Sequence, residues 1–168
     1  MNHKKADKTK RIVLAGGCFW GVERYFQTVA GIVDSTVGYA NSKIEDPSYE
    51  QVCSGETGAV EAVELVYDPE KIGLRKILEI YFMLVDPTSL NKQGNDRGTQ
   101  YRTGVYWTGE EPEEVKHIFA REQERYGSHF QVEHGKLLNF YPAEDYHQDY
   151  LKKNPGGYCH IPIPGVNI

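Results

Sequence analysis

One cysteine stands in a sequence context that favours chemistry over packing. Residues 16–20 read Gly-Gly-Cys-Phe-Trp, with Cys18 at the centre. The apolar run at 12–15 predicts a buried strand before it, and apolar residues at helical spacing from 22 to 29 predict a helix after it. Cys18 is therefore expected at a helix N-terminus, where unpaired N–H groups and the helix dipole favour a thiolate. We interpret it as a nucleophile, with a buried structural cysteine as the alternative.

Strands and helices alternate at short intervals around this turn. The clearest strand is 58–67, whose period of two places Glu61 and Glu64 on opposite faces among apolar neighbours. Further strands are predicted at 32–40, 101–108 and 130–133, and helices at 74–85, 110–126 and 143–152. Residues 88–100 form a long polar loop without periodicity, a feature that is often functional in a compact domain. This mixture predicts an α/β or α+β domain.

The composition predicts one soluble domain. The 168 residues suffice for a single core over 11–168, with a flexible basic tail at 1–10 and a Gly/Pro-rich C-terminal tail at 154–168. A net charge of −5 without a basic cluster argues against nucleic-acid binding. No apolar run approaches the ~20 residues of a membrane span, and the N-terminus lacks the apolar core of a signal peptide. We expect a cytoplasmic protein, and its three cysteines fit a reactive thiol better than a disulfide framework.

Four short motifs, in order, resemble one enzyme family. Residues 17–24, which begin Gly-Cys-Phe-Trp-Gly, resemble the active-site motif of the A-type peptide-methionine sulfoxide reductases. The resemblance returns at 94–102, 143–148 and 153–159, so it covers nearly the whole chain beyond the first ten residues. It implies a protein-repair enzyme that reduces methionine S-sulfoxide, free or in proteins, and that acts as a monomer. It also implies an α+β fold, with a mixed, largely antiparallel sheet packed by helices in a two-layer, ferredoxin-like arrangement.

The resemblance assigns roles to residues outside the cysteine motif. A sulfoxide oxygen must be protonated as its sulfur is attacked, and Glu61 matches the family's catalytic glutamate, which burial would keep protonated. The chain departs from the family at residues 59–60, Ala-Val, where His-Ala is usual. The family's substrate-binding positions correspond to Phe19 and Trp20 around the substrate methyl group, Tyr49 and Tyr101 as donors to the oxygen, and Asp96 in the pocket.

The resemblance further implies a relay of two thiols. Attack leaves Cys18 as a sulfenic acid, which condenses with a second thiol to form a disulfide. The family's resolving cysteine corresponds to Cys159, so we expect a Cys18–Cys159 disulfide that thioredoxin reduces. Cys53 is assigned to packing, and His147 to the solvated face of a short acidic helix. No cofactor or metal is expected, because neither Cys-x-x-Cys nor His-Glu-x-x-His occurs.

Two other functions stay open at this point. A thiol peroxidase would use Cys18 against a peroxide and would not need the aromatic pair at 19–20. A non-catalytic peptide-binding module would use the aromatic pair alone and would leave Cys18 slow to alkylate. An α/β-hydrolase-like cysteine enzyme is disfavoured, because no histidine stands out as its base.

Overall fold

Eight strands and five α-helices follow one another in the described part of the chain. The computed structural model describes residues 9–93 and 96–154, with the backbone alone for 96 and 97. The strands are β1 (Lys10–Gly16), β2 (Ile32–Ala40), β3 (Val60–Tyr67), β4 (Lys92–Gln93), β5 (Asp96–Arg97), β6 (Thr103–Trp107), β7 (Glu133–Lys136) and β8 (Phe140–Pro142). The helices are α1 (Phe19–Gln27), α2 (Tyr49–Cys53), α3 (Leu74–Leu84), α4 (Glu113–Tyr126) and α5 (Tyr150–Lys153). Short 3₁₀ helices cover Thr99–Tyr101, Gly127–His129 and Asp145–His147. None of these described helices is both long and apolar enough to cross a membrane.

Six of the strands build one sheet in the order β7-β6-β1-β3-β2-β8. Neighbouring strands are antiparallel except β6 and β7, which are parallel. β1 and β3 lie in the middle, with Leu14 opposite Val63, so the turn after β1 leaves from the interior of the sheet. β4 and β5 form a separate hairpin. The mixed, largely antiparallel sheet that the family resemblance implies is confirmed.

The helices cover one face of this sheet. Leu14 and Val63 belong to a large core cluster that also contains buried residues from all five helices. The neighbours of Leu14 on β1, Val13 and Ala15, point the other way into a smaller cluster, which Leu137 covers from the segment before β8. Because strand residues alternate between faces, this division follows from the period of two in the strands. The two-layer α+β arrangement is confirmed, and the ferredoxin-like label stays a prediction.

Two predicted boundaries shift, one for a local reason and one because of contacts across the chain. The helix predicted at 110–126 begins at Glu113, because Pro112 has extended backbone angles and takes the N-cap position. The strand predicted at 130–133 lies at 133–136 instead. Phe130 does not join the sheet, since its ring packs against Phe82 and Phe119. Apolar character alone predicted Phe130 as a strand residue, whereas its burial comes from an aromatic cluster.

The segments at 88–100 and 143–152 also differ from their predictions. The first contains the β4–β5 hairpin and the start of a 3₁₀ helix, which are too short to show periodicity. The second is not one helix, because Asp149 adopts a left-handed conformation, with a φ of 55°, between a 3₁₀ helix and α5. This break decides where the side chains of 144–151 point.

Candidate active site

Cys18 lies in the turn between β1 and α1, where the sequence predicts it. It occupies the N-cap position of α1 and is 7 % exposed. Gly17 has a φ of 83°, a conformation that any side chain disfavours. A Cβ atom on Gly16 would stand 2.8 Å from Cγ1 of Val85, so the end of α3 packs directly against this turn. Both glycines are therefore needed for the turn that presents Cys18 at the start of α1.

Glu61 is buried beside the same helix start. The residue is 1 % exposed, and its Oε1 atom accepts a hydrogen bond from the backbone N–H of Phe19 at 3.3 Å. The carboxyl group thus contacts the residue that follows Cys18. Ala59 and Val60, where the chain departs from the family, are both buried in the core. The structure therefore brings the predicted acid to the predicted nucleophile.

Two of the predicted tyrosines meet near this carboxyl group. Tyr49 opens α2, which Ser48 and Gln51 cap through reciprocal side-chain hydrogen bonds. Burial raises the pKa of the Tyr49 hydroxyl well above its usual range, and charge on Glu61 or Tyr101 acts in the same direction. A hydroxyl that stays protonated remains a hydrogen-bond donor. Both tyrosines also pack against the main core.

Cys53 lies at the rim of the site, so its assignment to packing is wrong. The residue is exposed, and its thiol interacts with the Tyr49 hydroxyl and with the side chain of Gln100. Partial desolvation raises the pKa of the Cys53 thiol, although hydrogen bonds from both partners oppose the rise. The spacing of four residues between Tyr49 and Cys53 places both on one side of α2, which is the signal that the sequence offers.

Phe19 and Trp20 contact aromatic residues from the C-terminal part of the described chain. Trp20 stacks on Tyr150, with ring centroids 3.8 Å apart and planes 13° from parallel. The indole Nε1 of Trp20 donates a hydrogen bond to Nδ1 of His147 at 3.1 Å. Phe19 is buried, and its ring centroid lies 5.2 Å from that of His147. Phe19 and Trp20, which are predicted to form an apolar slot for the substrate methyl group, are thus held in place by residues from distant parts of the chain.

His147 belongs to the site, although the sequence analysis placed it on a solvated face. It is 2 % exposed, and the rings of Tyr49 and Tyr146 have centroids 4.7 Å and 4.1 Å from the imidazole. Burial lowers the pKa of His147, so the neutral imidazole is favoured. Because Nδ1 accepts from Trp20, the remaining proton lies on Nε2. Its aromatic neighbours Tyr146 and Tyr150 were the available signal in the sequence.

Glu144 connects the 144–151 segment to the start of α2, where Tyr49 lies. Its Oε1 atom accepts from the Tyr39 hydroxyl at 2.8 Å, and its Oε2 atom accepts from the backbone N–H of Tyr49 at 3.1 Å. Burial alone would raise the pKa of Glu144, but hydrogen bonds from its own backbone, Tyr39 and Tyr49 hold it below its usual value. Glu144 therefore stays ionised and anchors the N-terminus of α2, a role that the sequence analysis missed.

Two predicted site residues lie partly or wholly outside the described residues. Asp96 pairs with Gln93 in the β4–β5 hairpin, and its backbone is all that is described. Cys159 lies outside the described residues. Within 9–93 and 96–154, no group of three or more histidine, cysteine or acidic side chains is arranged to hold a metal ion.

Comparison with known proteins connects this geometry to one family. A family model described as "Peptide methionine sulfoxide reductase" matches residues 10–167. The chain is 54 % identical over 153 residues to "Peptide methionine sulfoxide reductase MsrA" of Mycoplasma genitalium, covering 90 % of this chain and 98 % of that protein. It resembles Mxr1 from Saccharomyces cerevisiae in reduced form with a TM-score of 0.86 and 39 % identity, over 94 % of this chain and 93 % of that one.

A further solved structure shows Mxr1 in complex with Trx2. This chain matches it with a TM-score of 0.60 and 28 % identity, over 86 % of each chain. The family match runs through β1, α1, β3 and the 144–151 segment, which are the elements that build the site. The chain therefore belongs to the peptide methionine sulfoxide reductase family, and it is an enzyme.

Proposed function

We propose that this protein reduces methionine S-sulfoxide, free or in proteins, by attack of the Cys18 thiolate on the sulfoxide sulfur. The observation that carries this proposal is the contact of the Glu61 carboxyl group with the backbone of Phe19, next to Cys18. A thiolate and a buried acid in one place supply the two groups that a sulfoxide needs. The preference for the S epimer rests on the family resemblance.

In the first step, the sulfoxide oxygen is transferred to the sulfur of Cys18. Glu61 protonates that oxygen while the thiolate attacks, so the sulfoxide becomes a thioether and Cys18 becomes a sulfenic acid. Tyr49 and Tyr101 donate hydrogen bonds to the oxygen, and Asp96 completes the pocket. Phe19 and Trp20 hold the substrate methyl group in an apolar slot, which favours thioether sulfoxides over larger groups.

In the second step, the thiol of Cys159 attacks the sulfenic acid of Cys18. A disulfide forms, water leaves, and thioredoxin then reduces the disulfide through its own pair of thiols. The solved complex of Mxr1 with Trx2 supports this choice of reductant. Because the cycle begins from reduced thiols, we place the protein in the cytoplasm. In this scheme it works as a monomer.

The test compares sulfoxide reduction by the wild type, Cys18→Ser and Cys159→Ser. We expect Cys18→Ser to be inactive with dithiothreitol, whereas Cys159→Ser turns over with dithiothreitol and fails with thioredoxin. Mapping of the oxidised protein should find a Cys18–Cys159 bridge. A Cys18–Cys53 bridge would overturn the relay, and a wild type that reduces hydrogen peroxide but no sulfoxide would overturn the proposed reaction.

A further inference from the structure

A polar cluster around the buried Glu23 joins α1 to β2 and to the 144–151 segment through half-buried partners. Glu23 is 1 % exposed, and its carboxyl oxygens accept from the Ser35 hydroxyl at 2.9 Å and from the backbone N–H of Asp149 at 2.7 Å. One turn later on α1, the Gln27 amide donates to Oδ1 of Asp149 at 2.6 Å. We call these four residues the Glu23 clasp. Within it, Glu23 binds the backbone N–H of Asp149, and Gln27 binds the Asp149 carboxylate.

The clasp fixes the left-handed backbone conformation of Asp149. Its φ is 55°, a region that aspartate tolerates better than most residues, and Glu23 and Gln27 hold it there. The residues on either side of this turn both reach Trp20, because His147 accepts its indole N–H and Tyr150 stacks on its ring. The left-handed turn at Asp149 therefore allows one short segment to support the indole at two points.

The charge state of Glu23 is sensitive to conditions near neutrality. Burial raises its pKa to about 7, while the hydrogen bonds from Ser35 and Asp149 act against the rise. The carboxylates of Asp149 and of Asp34 on β2 raise the pKa of Glu23 further. Both carboxylates line a surface cavity that Lys152 also lines. Because burial holds the pKa of Glu23 above its ordinary value, the closed clasp binds the proton more tightly than an open, solvated one does, so the clasp loosens as Glu23 loses its proton.

We propose that Glu23 is a positioning residue for the sulfoxide slot, which acts through Asp149 on the support of Trp20 and weakens substrate binding as pH rises through neutrality. Glu23 itself contacts neither the substrate nor Cys18 in this scheme. The inference rests on the proposed function, because the slot must hold the methyl group of a sulfoxide. Glutamine at this position should behave like the protonated acid at every pH.

The binding test uses methionine S-sulfoxide and the Cys18→Ser protein, in which no oxygen transfer takes place. Calorimetry above pH 7 should show that Glu23→Gln binds about fivefold more tightly than the parent, because the neutral side chain avoids a buried charge. Below pH 7 the affinity of the parent protein should rise toward the Glu23→Gln value, which itself stays constant down to the titration of His147. Gln27→Ala should weaken binding at every pH and keep the pH dependence. Glu122→Gln, which changes a buried glutamate on α4, is the matched control and should match the parent.

A second readout follows Trp20 without substrate. In protein labelled with fluorotryptophan, the fluorine resonance of Trp20 should shift with an inflection near pH 7, and Glu23→Gln should abolish that inflection. The shift of the Trp20 resonance caused by titration of His147, below pH 6.5, should persist in both proteins. The resonance of Trp107, the other tryptophan of the chain, is the internal reference.

Wild-type affinity, pH profile and Trp20 resonance in Glu23→Gln would overturn the inference. Absence of sulfoxide binding in every protein would instead refute the proposed function. The Trp20 resonance would then test by itself whether Glu23 acts on Trp20 through Asp149.

Discussion

At the scale of single residues, the site depends on side chains that hold other side chains. His147 accepts a hydrogen bond from Trp20, and Glu144 accepts one from the Tyr49 backbone. Neither residue needs to touch a substrate to matter, because each fixes the orientation of one that does. Mutations at such positions should therefore change substrate binding, stability and their pH dependence.

His147 should make the free energy of unfolding depend on pH. Burial lowers its pKa in the folded state, so below pH 6.5 the unfolded chain binds the proton more readily. The advantage of the wild type over His147→Asn should therefore be complete above pH 6.5 and should decline as pH falls below it. Denaturant titrations of both proteins across this range provide the measurement.

The matched control for His147 is His117→Asn, on the exposed face of α4. The His117 side chain is 78 % exposed, so its surroundings change little on unfolding. The stability difference from the wild type should stay within about 0.5 kcal/mol, as for other surface substitutions. Groups common to both proteins, including Glu23, cancel in each comparison. A constant difference for His147→Asn would contradict burial of a neutral imidazole.

Tyr49→Phe should lower kcat/KM for methionine S-sulfoxide by ~100-fold, the effect of removing one donor to a developing negative charge. The ring and its packing remain, so the loss reports the hydroxyl. Tyr126→Phe on α4 removes a hydroxyl away from the site and should leave kcat/KM unchanged. Equal kinetics in Tyr49→Phe and the wild type would show that the oxygen is bound elsewhere.

At the scale of elements, the turn between β1 and α1 decides where the nucleophile stands. Gly17→Ala should destabilise the protein by about 1–2 kcal/mol, because φ is 83° at this position and a Cβ atom is disfavoured there. Sulfoxide reduction should fall as well, since the turn carries Cys18. Thermal and denaturant unfolding measure the first effect, and steady-state kinetics measure the second.

Gly135→Ala in β7 is the control for this turn. A Cβ atom on Gly135 meets nothing within 4 Å, so the substitution should leave stability and activity close to wild type. Comparable losses in both variants would mean that the conformation of Gly17 is not what the turn requires.

At the scale of the whole molecule, the site lies over the centre of the sheet. β1 and β3 are flanked on both sides, whereas β7 and β8 form the edges. Amide hydrogens of 60–67 should therefore exchange at least ~10-fold more slowly than those of 133–136 and 140–141, because central strands open only with the global fold. Hydrogen exchange followed by mass spectrometry tests this order. Equal protection at the edges would indicate that an unseen partner covers them.

The sequence allowed most of the elements and part of the site to be predicted. Strand alternation located β3, the family resemblance selected Glu61 on it, and the glycine pair before Cys18 located the turn. Boundaries moved where side chains made contacts across the chain, as at Phe130, whose burial comes from an aromatic cluster. Cys53 was misread because residue type indicates average burial, whereas its exposure follows from the position of α2.

Local sequence was enough to locate the turns and the cysteine that precedes a helix, because these features depend on neighbouring residues and on backbone conformations that glycine permits. The packing of the folded chain alone brings His147 to Trp20 across 127 positions and Glu23 to Asp149. Contacts of this kind depend on how strands and helices pack, and no local pattern encodes that packing. The partners of Asp149 show the difference, since Gln27 and Glu23 precede it by 122 and 126 positions.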